Sequence, residues 1–237
     1  MVSICIATYN GEEFIEEQLK SILSQINEDD EIIISDDNSI DTTIETVNKF
    51  NDVRIKIYSN DPENSGYTRN FENALLKASG DFIFLSDQDD VWYKDKYRLT
   101  LNKLIEYDFV ASDAKFVNNN LEELGVTFFG VRGGYKASFI GNIIKQKYLG
   151  CCIAFNKEIL NKALPFPENV KFCTHDLWLS LIATFYYKSF VINQPLLYYR
   201  RHVENVSGGG VKSDKSFFFK LCYRVYCLIN VFLRFNR

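Results

Sequence analysis

The sequence predicts an α/β domain built on a mainly parallel sheet, and three observations support this class. Short apolar runs alternate with segments whose apolar residues recur at helical spacing, as in strand–helix–strand units with right-handed crossovers. Three of these apolar runs end abruptly in polar or acidic side chains. The chain has 237 residues and is 46% hydrophobic, so it can bury a large core as one main domain.

The elements follow in order along the first half of the chain. Residues 2–7 are apolar and predict a buried strand, and residues 14–23 carry apolar side chains at helical spacing. Residues 31–35 predict a second strand, and Asp41 then stands where a helix cap is expected. Residues 53–58 alternate apolar and polar side chains, which is typical of a half-buried strand.

The pattern continues and then becomes less regular. Residues 71–78 have helical spacing and lead into a buried strand at residues 82–85. A further helix precedes a strand that ends in Asp113. Glycines within residues 128–135 indicate a mobile loop over a site, and residues 150–155 indicate another strand.

Polar side chains directly follow three of the predicted strands. In a parallel sheet the carboxyl ends of the strands meet at the edge where ligands bind. We therefore expect one site to contain Thr8, Tyr9 and Asn10, then Asp36 and Asp37, then Asp87, Gln88 and Asp89. Taken singly, Asp and Asn after a strand also form turns or cap helices, and for Asp36 and Asp37 capping explains the pattern as well as binding does.

Three carboxylates, those of Asp87, Asp89 and Asp90, follow the strand at residues 82–85. A buried strand cannot carry these charges inside, so they lie just beyond its end. Carboxylates on a turn suit Mg²⁺ or Mn²⁺, which complete their shells with phosphate oxygens and water. The sequence therefore predicts Mn²⁺ or Mg²⁺ bound together with a diphosphate.

Charge and cysteine content narrow the class of protein. The formal net charge is −4, whereas a general nucleic-acid binder more often has an excess of Lys and Arg. The six cysteines show no metal-type spacing, and reduced thiols in a cytoplasmic protein are the simplest interpretation. The chain starts without a signal-peptide pattern, which agrees with that expectation.

Five motifs in this order resemble those of the family 2 glycosyltransferases of the GT-A fold, particularly bacterial enzymes of capsule, O-antigen and rhamnan synthesis. The motifs are Ile6-Ala7-Thr8-Tyr9-Asn10-Gly11, Ser35-Asp36-Asp37-Asn38-Ser39-Ile40-Asp41, Asn64-Ser65-Gly66 with Thr68-Arg69-Asn70, Leu85-Ser86-Asp87-Gln88-Asp89-Asp90-Val91-Trp92, and His175-Asp176-Leu177-Trp178. The resemblance covers roughly residues 2–206. It implies a Rossmann-like sheet flanked by helices, with a small antiparallel extension and a C-terminal helical tail.

The resemblance also implies roles for individual residues. Asp37 would accept the N3 proton of uracil or thymine, and Arg69 would reach the base or the diphosphate. Asp176 would be the general base, although an acid at a helix start also stabilises the helix by roughly 0.5–2 kcal/mol. The other implied donor-binding residues are Thr8, Tyr9, Asn10, Asp36, Gly66, Asp87 and Gln88; the implied metal ligands are Asp89 and His202; and the implied acceptor-binding residues are His175 and Trp178, the latter either a core residue or a platform for a sugar ring.

The chemistry of sugar transfer agrees with these roles. Breaking a sugar–diphosphate bond builds negative charge on the leaving group, which a cation stabilises. A carboxylate that takes the proton of the attacking hydroxyl contributes about 10²–10⁴ in rate. One base without an obvious nucleophile favours direct displacement with inversion, and a second carboxylate near the anomeric carbon would instead favour double displacement.

The C-terminal part, residues 207–237, is predicted to follow a domain at residues 1–206. A Gly-rich break at residues 207–210 precedes an apolar helix on which Lys220, Arg224 and Arg234 lie within about 80° of one another. Such a stripe suits an anionic membrane surface, and docking on this domain or on a partner explains it nearly as well. The charges argue against a helix that spans a bilayer, which needs about 20 apolar residues.

We therefore expect an inverting, metal-dependent glycosyltransferase at the inner face of the cytoplasmic membrane. Its donor would be a UDP-sugar or dTDP-rhamnose, and its acceptor a lipid-linked surface glycan. One alternative is a catalytically silent binding subunit of a glycan-assembly complex, which the intact Asp37, Asp89 and Asp176 argue against. Another is a receiver-type signalling domain that binds Mg²⁺ through Asp36 and Asp37, which the chain length and the further acidic motif argue against.

Overall fold

The computed structural model describes residues 1–133, 135–201 and 216–235. The strands found in these ranges are β1 (Val2–Thr8), β2 (Glu31–Asp36), β3 (Ile55–Ser59), β4 (Phe82–Asp87), β5 (Val91–Trp92), β6 (Phe109–Val117), β7 (Glu123–Thr127), β8 (Ile153–Asn156) and β9 (Ser189–Arg200). The α-helices are α1 (Ile15–Leu23), α2 (Thr43–Asn48), α3 (Tyr67–Lys77), α4 (Lys96–Leu104), α5 (Phe128–Arg132), α6 (Phe139–Ile144), α7 (Ile159–Ala163), α8 (His175–Tyr186) and α9 (Phe217–Leu233).

All of these strands belong to one sheet, in the order β3-β2-β1-β4-β8-β6-β9-β5, with β7 paired to β6. The first four are parallel neighbours. Beyond β4 the sheet becomes mixed, because β8 runs antiparallel to both β4 and β6, and β5 and β7 are short antiparallel edges. The predicted α/β class, a mainly parallel sheet with a small antiparallel extension, is confirmed.

The parallel strands are buried on both faces, which explains why they read as continuous apolar runs. All residues of β2 are buried, and in β1 all but Ala7 are. Helix α1 presents Ile15, Leu19 and Ile22 to the core, each without solvent exposure. Helix α3 packs against β1 and β2. This packing holds the loops at the carboxyl ends of the strands in place.

Three sequence-based predictions about local structure were wrong. Strand β6 continues through Asp113, which is 4% exposed and accepts a hydrogen bond from the backbone N–H of Phe129 at 2.8 Å. That bond anchors α5, so the start of the predicted mobile loop is a helix with buried Phe128 and Phe129. Strand β3 starts at Ile55 rather than Val53, which is 94% exposed.

Helix α9 docks on the rest of the domain, as the second interpretation of its basic stripe predicts. Its residues Cys227 and Val231 are buried, and the helix packs against α6 and α8. Arg224 donates to the carbonyl oxygens of α6, and Arg234 donates to that of Pro165 at 2.5 Å. These two stripe residues therefore turn towards the protein. The predicted boundary near residue 207 lies outside the described residues.

A membrane-crossing helix was not expected, and none occurs in the described ranges with the length and hydropathy needed to cross a bilayer.

Candidate active site

The loops that follow β1, β2 and β4 meet at one edge of the sheet. Strand β1 lies between the other two, and its register pairs Thr8 with Asp36 and Ala7 with Asp87. The acidic ends of β2 and β4 therefore flank the end of β1. This is the edge where α/β sheets bind ligands.

Asp37 is held at this edge by two hydrogen bonds. Its Oδ1 accepts from the side-chain amide of Asn60 at 2.9 Å, and its Oδ2 accepts from the backbone N–H of Gly66 at 2.7 Å. Gly66 has a φ of 102°, a conformation that favours glycine, and it precedes α3. An ionised carboxylate has about four acceptor positions, so Asp37 keeps capacity for a further donor.

Thr8 and Asp36 are buried and connect the two loops by hydrogen bonds rather than lining a pocket. Thr8 has no solvent exposure and donates to Asp36 Oδ1 at 2.7 Å. The same carboxylate, 6% exposed, accepts from both the hydroxyl and the backbone N–H of Ser39. Ser39 in turn accepts from the backbone N–H of Asn10 at 2.9 Å. Burial thus corrects the prediction of direct donor contacts for Thr8 and Asp36.

Gln88 joins the loop after β4 to the loop after β1. Its amide accepts from the backbone N–H of Tyr9 at 2.9 Å and donates to the carbonyl of Tyr9 at 3.0 Å. A Cβ on Gly11 would stand 2.4 Å from Gln88 Oε1, so a larger residue here would displace the end of the Gln88 side chain. The side chain of Tyr9 is 56% exposed at the rim. Gln88 therefore positions the loop, and its amide is already occupied.

A compact acidic group lies at the end of β4. Asp87 is half-buried, and burial together with the negative charge of Asp89 raises its pKa to about 7. A hydrogen bond from the Cys151 thiol and the positive charge of Lys96 act in the opposite direction, whereas the charge of Asp176 raises this pKa further. Asp176 therefore lies within electrostatic reach of Asp87.

Asp90 lies beneath this group with no solvent exposure. Its Oδ1 accepts from the backbone N–H of Arg200 at 3.1 Å, while its Oδ2 is buried without a hydrogen-bond partner among the described residues. Burial, followed by the charges of Asp89 and Asp87, raises the pKa of Asp90 well above its usual range. Potential ligand atoms of Asp87, Asp90 and Cys151 lie within 4.8 Å of one another.

Asp176 is the second residue of α8 and is held by three donors. Its Oδ1 accepts from the hydroxyl of Thr174 at 2.5 Å and from the backbone N–H of Leu177 at 2.8 Å, and its Oδ2 accepts from the side-chain amide of Gln146. Thr174, the residue that precedes α8, makes no side-chain capping bond. The carboxylate is therefore oriented by two side chains outside the helix, those of Thr174 and Gln146.

These positions match a known family. The family model described as "Glycosyl transferase family 2" matches residues 3–164.

The chain belongs to this family.

Curated relatives support the same conclusion. The chain is 31% identical over 227 residues to the "dTDP-rhamnosyl transferase RfbG" of Shigella flexneri, covering 87% of this chain and 74% of the relative. It is 28% identical over 187 residues to the "UDP-Glc:alpha-D-GlcNAc-diphosphoundecaprenol beta-1,3-glucosyltransferase WfgD" of Escherichia coli, covering 77% and 70%. The protein is thus a glycosyltransferase that resembles O-antigen and capsule enzymes.

Solved structures share the fold at low identity. TarS residues 1–349 of S. aureus in complex with UDP-GlcNAc superimposes with a TM-score of 0.68 at 19% identity, over 98% of this chain and 72% of that one. The mannosyltransferase PcManGT of Pyrobaculum calidifontis in complex with GDP-Man and Mn²⁺ gives 0.65 at 20% identity, over 98% and 63%. Both similarities show that the glycosyltransferase has the GT-A fold.

Two predicted acceptor residues of the glycosyltransferase are core residues instead. Trp178 has no solvent exposure and donates from Nε1 to the carbonyl of Ala163 at 2.8 Å. His175 is 5% exposed and stacks on Phe71 with 4.2 Å between ring centroids. Burial lowers the pKa of His175, which favours the neutral imidazole. Because both rings are buried, neither offers a surface to a sugar.

The guanidinium of Arg69 is occupied by partners within the protein. Its guanidinium pairs with Glu72 one turn along α3 and donates to the carbonyl oxygens of Pro167 and Glu168 at 3.2 and 3.1 Å. It therefore ties α3 to the segment that precedes α8, and the prediction that it reaches the base or diphosphate is not supported. The predicted metal contact of His202 falls outside the described residues.

The donor set fits a divalent cation. The carboxylates of Asp87 and Asp90 offer hard oxygen ligands, and the buried Oδ2 of Asp90 has no partner in the part of the chain that the structure describes. Cys151, a soft ligand, suits Mn²⁺ or Mg²⁺ less well. Asp89 is half-buried in the same loop.

Sequence reasoning assigned no site role to three residues that the structure brings into this region, namely Lys96, Gln146 and Cys151. Asp90 was predicted as one of three cation-binding carboxylates, but its complete burial was not predicted. Cys151 and Lys96 meet through the Lys96 ammonium and the Cys151 carbonyl, and Gln146 meets Asp176 across 30 residues. Nothing in the spacing of these residues indicates such contacts.

Proposed function

We propose that this glycosyltransferase is metal-dependent and inverting, and that it moves a sugar from a UDP-sugar or dTDP-rhamnose to a lipid-linked glycan. One observation supports this most directly. Asp176 lies within electrostatic reach of Asp87 but belongs to a different element, at the start of α8. This arrangement supports a cation-binding group at the end of β4 and a separate proton acceptor at the start of α8.

On the donor side, Asp37 would accept the N3 proton of the pyrimidine. Asn60 and Gly66 hold its two oxygens in place, which supports this role. Tyr9 and Asn10 stand at the rim beside it, with Asn10 Oδ1 accepting from the backbone N–H of Ile40 at 3.0 Å.

Asp87 and Asp89 would hold the cation, with Asp90 beneath them. Bound there, Mn²⁺ or Mg²⁺ would stabilise the negative charge that develops on the diphosphate. The raised pKa of Asp87, about 7, supports this role, because a cation relieves the crowding of negative charge that raises it. Lys96, which is buried, adds positive charge near the same carboxylate.

Asp176 would take the proton of the acceptor hydroxyl. The hydrogen bonds from Thr174 and Gln146 fix the carboxylate geometry, and positioned carboxylates of this kind give about 10²–10⁴ in rate. Its location at a helix start is compatible with this role, since a negative charge is stabilised there. A single base opposite the donor favours one displacement with inversion.

The donor and acceptor classes follow from the relatives. RfbG is named for dTDP-rhamnosyl transfer, and WfgD for transfer from UDP-Glc to a diphosphoundecaprenol-linked sugar. A pyrimidine nucleotide and a lipid-linked acceptor are therefore the classes that we propose for this chain.

Peripheral attachment to the inner face of the cytoplasmic membrane would bring the enzyme to such an acceptor. The side of α9 opposite its docked face supports this proposal. Its exposed side chains are apolar and recur at helical spacing, namely Phe218, Leu221, Val225, Ile229 and Phe232. An apolar helix face of this kind inserts shallowly into a lipid interface.

A screen of nucleotide sugars with Mn²⁺ tests the proposal, with donor hydrolysis and thermal stabilisation as the readouts. We expect stabilisation by UDP or dTDP, and loss of metal-dependent turnover in Asp89→Ala. Asp95→Ala, which changes an exposed carboxylate outside the cluster, is the matched control. Absence of any nucleotide response would instead favour the catalytically silent binding subunit.

A further inference from the structure

Four cations gather around the C-terminal ends of α5 and α6, and we call Arg132, Lys145, Lys147 and Arg224 the basic cluster. Lys145 Nζ lies 3.4 Å from the carbonyl oxygen of Val131, and Lys147 Nζ lies 2.9 Å from that of Arg132. Both ammonium groups therefore stand at the C-terminal end of α5. Arg224 reaches in from α9 and donates to the carbonyls of Ile143 and Ile144, just before Lys145.

Within the part of the chain that the structure describes, the basic cluster has no ion-pair partner. None of the ion pairs found in the described ranges includes any of its members. The Nε of Arg132 is buried there without a hydrogen-bond partner. Burial and the charges of Arg132 and Lys147 lower the pKa of Lys145, which shows that the cations crowd one another.

Capping of α5 explains only part of this arrangement. Each ammonium group has three protons, and each carbonyl oxygen takes one of them. Capping also does not explain why four cations converge where none of them has an ion-pair partner among the described residues. An uncompensated group of cations with unused donors is the ordinary protein site for phosphate.

The cluster is tied directly to the proposed base. Gln146, between Lys145 and Lys147 in sequence, donates its side-chain amide to Asp176 Oδ2. Asp176 also acts electrostatically on Arg132. An acceptor sugar with its hydroxyl at Asp176 would thus place its own substituents beside these cations.

We propose that the basic cluster binds the diphosphate of a lipid-linked acceptor, so that the sugar next to that diphosphate receives the transferred residue. This inference rests on the proposed function and names the acceptor class and the residues that would recognise it. Leu221 and Val225 flank Arg224 on α9 and are each 46% exposed. A lipid chain leaving the diphosphate at Arg224 would therefore meet an apolar surface.

The test is calorimetric titration of the full chain with decyl diphosphate in EDTA. Without a divalent cation the carboxylates of the donor site repel a diphosphate, whereas the basic cluster still attracts it. We expect binding to the wild type and a loss of at least about tenfold in the double variant Lys145→Gln, Lys147→Gln. Decyl glucoside, which carries the same chain without charge, should not bind.

Two further double variants serve as controls, one for the position of the lysines and one for their charge. Lys49→Gln with Lys157→Gln removes two exposed lysines elsewhere and should bind like the wild type. Lys145→Arg with Lys147→Arg keeps both charges and should retain binding. Equal affinity in the wild type and the Gln double variant, or no binding in EDTA, would overturn the proposal.

Two additional measurements distinguish a failure of the acceptor inference from a failure of the proposed function, and diphosphate binding from lipid-headgroup binding. Thermal stabilisation by UDP or dTDP with Mn²⁺, measured on the same variants, reports the proposed function; if it persists while decyl diphosphate does not bind, only the acceptor inference fails. Vesicles of phosphatidylglycerol report headgroup binding. If the Gln double variant loses vesicle binding but keeps decyl diphosphate binding, the cluster serves lipid headgroups and the proposal is overturned.

Discussion

The guanidinium of Arg200 donates a hydrogen bond from Nε to the backbone carbonyl oxygen of Asp89 at 2.8 Å. Arg200 is 2% exposed, and its Nη2 also reaches Glu17 Oε2 at 2.6 Å. Its backbone N–H donates to Asp90. The last residue of β9 therefore fixes the acidic loop after β4 against α1.

Replacing this arginine should destabilise the protein strongly. Arg200→Met leaves two carbonyl groups and Glu17, whose side chain is 51% exposed, without their donor. Each buried acceptor left without a donor typically lowers the free energy of unfolding by roughly 1–3 kcal/mol. Denaturant unfolding measures this change. Arg98→Met is the control, because the side chains of the Arg98–Asp95 pair are 63% and 55% exposed and such pairs contribute about 0–1 kcal/mol. Similar losses in both variants would contradict the central position of Arg200.

Asp176→Asn should stop transfer while sparing the donor. The amide keeps the shape of the side chain but cannot take the acceptor proton, so we expect transfer to fall by about 10²–10⁴. Affinity for the nucleotide, measured by thermal stabilisation with Mn²⁺, should stay close to that of the wild type. Near-normal transfer in this variant would show that Asp176 is not the base.

Substitutions at Gly11 and Gln88 should be strongly non-additive in their effect on the free energy of unfolding. A Cβ on Gly11 would stand 2.4 Å from Gln88 Oε1, so Gly11→Ala forces Gln88 off the backbone of Tyr9. Each single variant should lower the free energy of unfolding by about 1–2 kcal/mol. The double variant Gly11→Ala, Gln88→Ala should cost little more than Gln88→Ala alone, because the clash is gone. A double variant that shows the full sum would refute this contact.

Glu31 should make stability depend on pH in the acid range. Burial alone raises its pKa, but hydrogen bonds from Lys56, Ser3 and Ser79 outweigh it and lower the pKa from 4.5 to about 2. A lowered folded-state pKa gives stability that is complete above pH ~4.5 and lost as pH falls towards ~2. Glu31→Gln should therefore cost roughly 2–3 kcal/mol at neutral pH.

Unfolding of both proteins across this range checks the sign. The difference between wild type and Glu31→Gln should shrink steadily between about pH 4.5 and 2. A difference that stays constant, or grows, would show that the carboxylate is not held in its ionised form.

The outer face of α9 should carry any binding to lipid. Leu221 and Phe232 are 46% and 54% exposed, so Leu221→Ser with Phe232→Ser should leave the unfolding midpoint nearly unchanged. Sedimentation with anionic vesicles should fall about tenfold or more, because each buried side chain of this size contributes roughly 1–2 kcal/mol. Val53→Ser with Ile105→Ser, 94% and 75% exposed elsewhere, is the control. Equal loss in both pairs would exclude a specific role for α9.

Several parts of the site were predictable because they depend on local pattern. Asp37, Asp87 and Asp89 follow apolar runs, and parallel pairing brings those ends together. The partners of Arg69 were not all predictable. Glu72 lies one turn along the same helix, but the carbonyls of Pro167 and Glu168 lie far along the chain and meet Arg69 only in the folded protein. The long arginine side chain can donate hydrogen bonds to any acceptors that lie near it in the folded protein.

Residues in amphipathic or apolar contexts were the hardest to assign. Trp178 could be placed in the core or on a surface, and only the packing of α8 decided for the core. The stripe on α9 had two interpretations for the same reason. Arg224 and Arg234 found backbone carbonyls on α6 and near Pro165, so the helix docks with its basic side inward.

The order of strands and helices, the α/β class, the acidic ends of β2 and β4 and the family were all determined by the sequence, because periodicity and motif spacing are local properties of a chain. The tertiary structure alone decided which of these side chains are buried or already hydrogen-bonded within the protein. Thr8, Asp36 and Gln88 form hydrogen bonds that hold the loops together. Gln146 donates a hydrogen bond to Asp176, and Asp90 is fully buried. Burial and hydrogen bonding depend on neighbours that are distant in sequence, and folding selects those neighbours only when the whole core packs.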